Sequence, residues 1–453
     1  MNASERRAVS SLALVFGLRM LGLFLILPVM SIFARDMPGS TPALAGLALG
    51  VYGLTQAFLQ IPFGFLSDRF GRKRLITIGL GIFILGSIVA ALADTIYGVI
   101  AGRALQGAGA ISAAVLALVA DLTREQQRTK AMALFGGSIG LMFMLALVLG
   151  PMIEGWLGVS AIFWITAVLA LGVIPVLWWW TPTPVRVKHH ADVAFDSALF
   201  KRILRHPHLA RLNMGIFSLH FALTSFFVVV PLSLVDTLGI ATSDHWKLYM
   251  PVLALSVLGM VPMLIIAHRR NAYRGMILVA IGVMILSEVV FAEAGNDFVI
   301  VIIGLWLFFV GFNAIEAMLP SLISRLAPVG TKGTVLGVYN TFEFSGIFIG
   351  GLLGGAAYGT FGSSGAFVAA AGVLALWMVA MFFAPAMQLL DSITLNLPPG
   401  SIENHQELLR QLADLPGVED STLVAAEGLV YLKVNPGDFD VNSANGIVGI
   451  SAV

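Results

Sequence analysis

Six ionisable side chains stand inside apolar stretches of this sequence, where a charge is costly. They are Arg19, Arg103, Glu154, Glu288, Glu316 and Glu343. Burial makes a carboxyl group hold its proton more firmly, and a nearby cation has the opposite effect. Carboxylates and arginines in one cavity can therefore take up and release protons as they exchange partners, or hold a charged solute.

Two of these carboxylates have an amide side chain one helical turn before them. Asn313 precedes Glu316, and Asn340 precedes Glu343; residues three apart lie on the same face of a helix. We expect Glu316, and after it Glu343, to face a polar cavity. The alternative for both, as for Arg103, is a structural ion pair.

The other ionisable groups have less defined roles. Arg19 is expected to hold a carboxylate or an anionic part of a solute, and the sequence does not separate the two. His220 has a side chain that titrates near neutral pH, although a hydrogen-bonded structural histidine is the favoured interpretation. Glu288 is expected at a boundary or a helix contact. A further group is expected to be solvated at the outer edge: Asp36, Asp94, Asp236, Asp244 and Glu293.

Membrane-spanning helices must position these residues. Only 11% of the 453 residues are charged and the mean hydropathy is +0.92, which is typical of a membrane protein. A crossing takes about 20 apolar residues, and the first such stretch lacks a cleavage site, so it is expected to be retained. The predicted spans are 8–34, 43–66, 75–93, 97–120, 131–153, 160–180, 212–235, 247–267, 275–293, 298–324, 333–358 and 364–385.

The placement of cations predicts the orientation of these spans. With the N-terminus inside, 20 cations flank the spans on the cytoplasmic side, and only Arg35 and Lys247 lie outside. The positive-inside rule therefore favours cytoplasmic N- and C-termini. The polar connector 181–211 separates two six-helix halves, 1–180 and 212–385, and a soluble tail, 386–453, follows.

The loop after the second span combines glycines, an acid and several cations. Residues 64–74 read GFLSDRFGRKR and contain Gly64, Asp68, Arg69, Gly71 and Arg72. An anchor for the positive-inside rule would explain the cations, but not the aspartate or the glycine spacing. The segment resembles the loop signature of the major facilitator superfamily, G-x-x-x-D-R-x-G-R-[KR]-[KR]. That resemblance implies an all-α fold of twelve helices with a solute site between the halves.

Two further segments resemble motifs of the same superfamily. Residues 103–109, RALQGAG, resemble its R-x-x-Q-G motif, which implies that Arg103 faces the central cavity and takes part in proton coupling. Gly150, Pro151 and Gly155 resemble the G-P-x-x-G-G motif of its drug:proton antiporters, with Glu154 in place of a glycine. The resemblance implies a monomeric transporter of the bacterial inner membrane that exports a small, amphipathic or drug-like solute in exchange for protons.

The resemblance also implies a conformational latch at the loop. Asp68 would contact the N-terminus of span eleven near 332–334, where free amides and the helix dipole favour a carboxylate. Arg72 would pair with Asp121 at the end of span four. Both contacts require a closed cytoplasmic side, so they would stabilise the outward-open state. The corresponding loop of the second half, 267–274, lacks the aspartate and the glycines, and the latch should be asymmetric.

The tail has the pattern of a small α+β domain. Alternating apolar residues predict a strand over 393–397, a helix follows from about Ser401, and two strands flank 427–428. This order predicts a ferredoxin-like fold with a last strand near 447–453 and a second helix that is hard to see between 440 and 445. The tail resembles heavy-metal-associated domains but lacks their Cys-x-x-Cys ligands. A regulatory, assembly or purely stabilising role remains open.

Several functions fit these observations. The leading hypothesis is proton-coupled export, with the lipid bilayer, protons and an unidentified solute as partners. A facilitator or importer of the same fold, and a sensor whose tail signals, are the alternatives. No nucleophile–base or metal-ligand set supports an enzyme or a cofactor, and no basic run suggests nucleic acid. Large apolar residues such as Phe24, Phe226, Phe308 and Phe312 would suit an amphipathic solute.

Overall fold

The computed structural model describes residues 1–183, 202–293, 295, 297–327, 332–384, 391–397, 405–424, 429–435 and 438–448. Eleven helices in these ranges are long and apolar enough to cross a membrane. The last, Lys332–Phe382, has 51 residues and would be about 76 Å long, far more than one bilayer crossing needs. Gly362 divides it, because its φ of 72° lies outside the helical region. The described chain thus contains the twelve predicted spans.

The spans of the first half begin and end close to the predicted positions. They are Ala3–Phe24 with Met30–Arg35 (span one), Pro42–Phe70 (two), Arg72–Ala91 (three), Ile96–Ala108 with Ser112–Leu122 (four), Glu125–Leu157 (five), and Val159–Pro175 continued by the π-helical turn Val176–Trp180 (six). Spans one and four are each interrupted, which the sequence analysis did not predict.

The second half has fewer interruptions. Its spans are Pro207–Asp236 (seven), Trp246–Arg269 (eight), Tyr273–Glu293 (nine), Phe298–Leu326 (ten), and the parts of Lys332–Phe382 before and after Gly362 (eleven and twelve). A short 3-10 turn, Thr242–Asp244, precedes span eight.

The two interruptions have local causes. Span one breaks between Phe24 and Met30 because Pro28 has no amide hydrogen and clashes with the preceding helical turn. Span four breaks at Gly109, where a side chain would overlap the carbonyl oxygen of Gly79 in span three. The helix ends at this backbone contact, so the carbonyl group of Gly109 is available to another donor.

The two halves pack most closely through spans two and eleven. A methyl group on Gly46 would overlap the carbonyl oxygen of Gly351, and one on Gly53 would overlap the carbonyl oxygen of Phe344. Small residues allow helix backbones to approach in this way in a membrane. The contact between the halves is therefore backbone against backbone over several turns.

The halves also meet at the end of the bundle that carries Arg35 and Asp236, which we call the 35/236 end. The Arg35 guanidinium lies 2.8 Å from both carboxylate oxygens of Asp236, and the Ser31 hydroxyl donates to the Phe227 carbonyl at 3.2 Å. The side chains of Arg35 and Asp236 are only partly buried. Their pairing nevertheless corrects the expectation that Asp236 is simply solvated. Contacts from spans one and seven hold this end together.

The tail follows the order β-α-β-β-α. Its elements are β1 (Asp391–Asn396), the helix His405–Ala413, β2 (Val418–Val424), β3 (Leu429–Val434) and the helix Val441–Val448. The antiparallel sheet has the order β1-β3-β2, in keeping with the ferredoxin-like prediction.

The end of the tail differs from the sequence prediction. Ile447 and Val448 lie in a helix, not in the predicted last strand, and 449–453 lie outside the described residues. Asp440 begins this helix by accepting from the Asn442 and Ser443 amides. Those bonds hold the pKa of the Asp440 carboxyl below its usual value, as expected for a carboxylate at a helix N-terminus.

Candidate functional site

The loop between spans two and three places one arginine between two carboxylates. Gly71, with φ of 93°, ends span two and lets span three begin at the next residue. Arg72 forms ion pairs with Asp68 and, at 3.1 Å, with Asp121, and it donates to the Ser67 hydroxyl at 2.7 Å. The ends of spans two, three and four are thereby tied together.

The remaining residues of the motif have local contacts. Arg69 lies against the ring of Phe70, 5.8 Å from its centroid, and Gly64 accepts from the Ser67 hydroxyl at 2.6 Å. Residues 328–331 and the side chain of Lys332 lie outside the described residues. The contact of Asp68 with the start of span eleven therefore stays a prediction.

Two buried arginines share a polar cluster within the first half. Arg19 donates to the Tyr52 hydroxyl at 2.7 Å, to Gln56 at 3.1 Å and to the Gly109 carbonyl at 3.1 Å. The last of these acceptors is the carbonyl left available by the break in span four. Arg19 is thus held by neutral oxygens from spans two and four.

Arg103 is also held by neutral oxygens and also lies near Tyr52. It donates to Gln106 at 2.8 Å and to the carbonyls of Ala48 and Leu49. Its guanidinium lies 5.3 Å from the centroid of the Tyr52 ring, and that of Arg19 lies 5.7 Å from it. Neither arginine forms an ion pair with a carboxylate in the described part of the chain.

The second half contains a matching cluster of acids. Glu343 of span eleven lies 3.7 Å from His220 Nε2 of span seven, and the charge of Glu316 in span ten acts on Glu343. One carboxylate oxygen of Glu316 is buried without a hydrogen-bond partner among the described residues. His220 uses its other ring nitrogen to contact the Ile216 carbonyl at 3.2 Å. The structure thus brings the two predicted carboxylates together with His220.

The amide predicted to support Glu316 has another partner. Asn313 donates to the Ser256 hydroxyl of span eight at 3.0 Å. Tyr339, one turn before Glu343, is buried, and both glutamates act on its hydroxyl. The acid cluster therefore includes residues of spans seven, ten and eleven.

Aromatic residues separate the two clusters and fill the space around them. Phe344, next to Glu343, contacts Tyr52 at 6.3 Å between ring centroids, and Phe143 contacts Phe312 at 5.8 Å. Most of the aromatic residues proposed as a solute lining are buried against one another: Phe226 stacks on Phe308 at 3.9 Å. Only Phe24 among the four named above is partly exposed.

The antiporter-like motif of span five serves as a packing surface. A side chain on Gly150 would overlap the Leu25 carbonyl at the break in span one, and one on Gly155 would overlap Ser243 of the second half. Pro151 continues the helix between them. Glu154 and Asp36 line a cavity of about 330 Å³ at the 35/236 end. Glu154 thus lies near the end of its span rather than deep within it.

Glu288 is the remaining predicted residue. It is fully buried in span nine, and neither carboxylate oxygen has a hydrogen-bond partner among the described residues. It lies apart from the acid cluster in the contacts that the structure shows.

Sequence reasoning missed Tyr52, Gln56 and the Arg35–Asp236 pair. The first two are neutral, so only the structure shows that they hold Arg19. For the pair a signal existed, because Arg35 is one of only two outside cations in the predicted topology.

Comparisons with known proteins identify relatives of the whole chain. Residues 12–351 match the Major Facilitator Superfamily. The inner membrane transport protein YajR of Escherichia coli is 42% identical over 435 residues, 96% of this chain and 95% of that protein. The quinolone resistance protein NorA of Staphylococcus aureus is 24% identical over 75% of this chain and 86% of its own length. A bacterial homologue of the human lysosomal transporter Spinster, at 14% identity, superposes with a TM-score of 0.68 over 84% of this chain and 97% of its own.

Proposed function

Because the chain belongs to the Major Facilitator Superfamily, we propose that this transporter exports a small solute in exchange for protons. The observation that carries the proposal is the acid cluster of Glu316 and Glu343 beside His220 in the second half. Ionisable groups inside a membrane span are costly, and a cluster of them is therefore a candidate functional site. Protons and a solute that donates hydrogen bonds or carries a positive charge would compete for these two carboxylates.

The positive charges of the two arginines would influence how tightly the acids bind protons. Arg19 and Arg103 are held by neutral oxygens, so their positive charges are not cancelled by a local carboxylate in the described chain. Tyr52 lies near both guanidinium groups and contacts Phe344, the neighbour of Glu343. Motion of one half against the other would change the distance between arginines and acids, and with it the affinity of the acids for protons.

Alternating access would follow from contacts at the two ends of the bundle. The Arg35–Asp236 pair joins the halves at one end, and the loop of Asp68 and Arg72 lies at the other. The cation distribution and the inner membrane protein YajR support an inner-membrane location with both termini in the cytoplasm. The 35/236 end would then be periplasmic, and the contacts there would belong to a state closed on that side. The Arg72–Asp121 pair is formed in the same structure and lies within the first half, so it would not require a closed cytoplasmic side, contrary to the expectation above.

The division of the chain supports the same mechanism. We propose halves of residues 1–180 and 212–385, joined by the connector 181–211 and followed by the tail. The resemblance to NorA, a quinolone resistance protein, supports a drug-like solute. Phe226 and Phe308 are packed against each other in this state, so they would contact such a solute only after the halves move.

Proton flux in liposomes tests the proposal. Purified transporter is reconstituted with a pH-sensitive dye inside and an imposed pH gradient, and a fluoroquinolone or a lipophilic cationic dye is added. We expect probe-dependent proton movement that empty liposomes do not show. Movement of a probe without protons would replace the proposal by a facilitator, and no flux for any probe would favour a sensor.

Asp68 provides a first test of the latch. We expect Asp68→Asn to lower transport several-fold while its level in the membrane stays normal, because the amide keeps the size of the side chain but not the charge that binds a helix N-terminus. Transport and membrane level are measured in the same cells. Asp94→Asn, an exposed change at the other end, is the control. Normal transport by Asp68→Asn at normal level would contradict the latch.

The Arg35–Asp236 pair provides a test at the opposite end. Both side chains are nearly half exposed, so the pair contributes at most about 1 kcal/mol, or about fivefold in the balance of two states. We expect Asp236→Arg to open this end and Arg35→Asp in the same chain to restore it. The chain has no cysteine, so spin labels on Asp94→Cys and Ala241→Cys report the distance directly.

The control for this experiment is Asp244→Arg. It breaks an ion pair with Lys247 inside the second half and should leave the distance between the labels unchanged. An unchanged distance in Asp236→Arg, or no recovery in the double variant, would show that the pair does not hold the halves together.

A further inference from the structure

A lysine of the tail is buried against the membrane domain. Lys433 lies on β3, is only 3% exposed, and donates from Nζ to the Arg325 carbonyl at 2.6 Å. Lysine is almost never buried to this extent without a partner. Arg325 is the last residue but one of span ten, Phe298–Leu326. The contact therefore joins the tail to the end of a span.

The architecture of the tail explains how this lysine reaches the bundle. Successive residues of a strand point to opposite faces of a sheet. Val430, Leu432 and Val434 lie in the tail's own core beneath its helices, so Lys433 lies on the opposite face. The helices cover one face of the sheet, and the end of span ten covers Lys433 on the other.

In the first half, span four corresponds to span ten, and a cation also binds at its end. Asp121 is the last residue but one of span four, Ser112–Leu122, and Arg72, the first residue of span three, binds its carboxylate. In the second half, Tyr273 is the first residue of span nine, and the Arg325 guanidinium lies over its ring at 5.9 Å. The second half thus has a contact between a cation and an aromatic ring at the place that corresponds to the Arg72–Asp121 pair.

The next residue in each half shows that the correspondence is real. Lys73, second in span three, donates to the Thr181 carbonyl at the end of span six. Arg274, second in span nine, donates to the Met381 and Phe382 carbonyls at the end of span twelve. A cation near the last carbonyls of a helix stabilises its end. The two halves therefore match at this pair, and differ at the ends of spans four and ten.

We propose that the tail is docked on the second half through Lys433, and that this contact supplies at span ten the cationic clamp that Arg72 supplies at span four. Residues 328–331, which connect span ten to span eleven, begin three residues after Arg325. The tail therefore contacts span ten just before the connection to span eleven. Asp68 is predicted to contact the start of span eleven, just after that connection. A partner that binds the tail and displaces Lys433 would loosen this end of the second half. The docking does not depend on proton coupling.

Hydrogen exchange on the full-length transporter in detergent tests the docking. We expect Lys433→Met, which keeps the apolar stem but has no donor, to speed exchange of peptides covering 319–327 about two- to fivefold. Peptides covering 116–124, at the end of span four, should not change. Lys433→Arg should retain the wild-type protection. Arg410→Met, which removes an exposed cation from the same tail, is the matched control.

Peptides covering 405–413 and 429–434 report whether the tail itself stays folded. Wild-type protection at 319–327 in Lys433→Met and Lys433→Gln would overturn the proposal. If the tail is folded in these variants, the result would mean that Lys433 is not needed for docking. If the tail is unfolded, the result would mean that a docked tail does not contribute to the protection of 319–327 in the wild-type protein. Faster exchange at 319–327 in Arg410→Met as well would also overturn it, because the effect would not be specific to Lys433.

Discussion

Glu343→Gln is expected to abolish probe-driven proton movement, to the level of empty liposomes. Glutamine has nearly the shape of the protonated acid but cannot release a proton. Glu343 lies 3.7 Å from His220 Nε2, and Glu316 is near enough for the charges of the two carboxylates to interact. Its loss removes the carboxylate that pairs with His220 in the described chain. The expected effect is therefore on coupling, measured as protons moved per probe molecule.

Glu316→Gln should act in the same direction, and the double variant should be no worse than Glu343→Gln alone, because residues that act as a unit are not additive. Glu288→Gln is the matched control: the same chemical change in the same half, at a carboxyl that has no hydrogen-bond partner in the described chain. It should transport normally. Unaltered proton-to-probe stoichiometry in Glu343→Gln would rule out this residue as the proton carrier.

Arg72→Gln is expected to cause the largest loss of stability among the predictions. The guanidinium is 9% exposed, the side chain of Asp121 only 2%, and Asp68 is also largely buried. Removal of the cation leaves two carboxylates close together with little solvent. Loss of one partner from a buried ion pair costs about 3–5 kcal/mol. We expect a clear fall in the thermal unfolding temperature of the purified protein and a lower folded yield.

Asp121→Asn combined with Arg72→Gln should restore part of the lost stability, because it removes one of the two carboxylates that no longer have a cation beside them. Arg74→Gln is the control, because it makes the same substitution two residues along the helix, at an exposed position. If Arg72→Gln and Arg74→Gln unfold at the same temperature as the wild-type protein, the arginine between the two carboxylates is not a structural tie.

Much of the fold was predictable because hydrocarbon imposes strong requirements on a sequence. Twelve spans followed from their length, and the described chain contains them. The motif at 64–74 indicated that Arg72 and Asp121 would meet, and they do at 3.1 Å. The prediction of the tail was right in order for its first four elements, a strand, a helix and two strands. These features depend on local patterns or on a motif with fixed spacing.

What escaped prediction depends on contacts between distant residues. Arg19 is held by Tyr52, Gln56 and the Gly109 carbonyl, neutral groups that carry no sign in the sequence of being partners. The Arg35–Asp236 pair joins residues 201 positions apart. The helix Val441–Val448 was obscured by Gly446 and two asparagines, which have low helix propensity. Its start is set by the Asp440 cap.

The glycine contact between spans two and eleven affects how the two halves can move against each other. Helices that interlock through side chains must change rotamers before they can turn past each other, whereas Gly46 and Gly351 present only backbone to one another. At these positions the halves can move past each other without a change of rotamer, and the side chains that must repack are those of the aromatic contacts Tyr52–Phe344 and Phe143–Phe312. The free-energy barrier to rocking would then include the Arg35–Asp236 pair at one end of the bundle, and an added methyl group at Gly46 would block the movement itself.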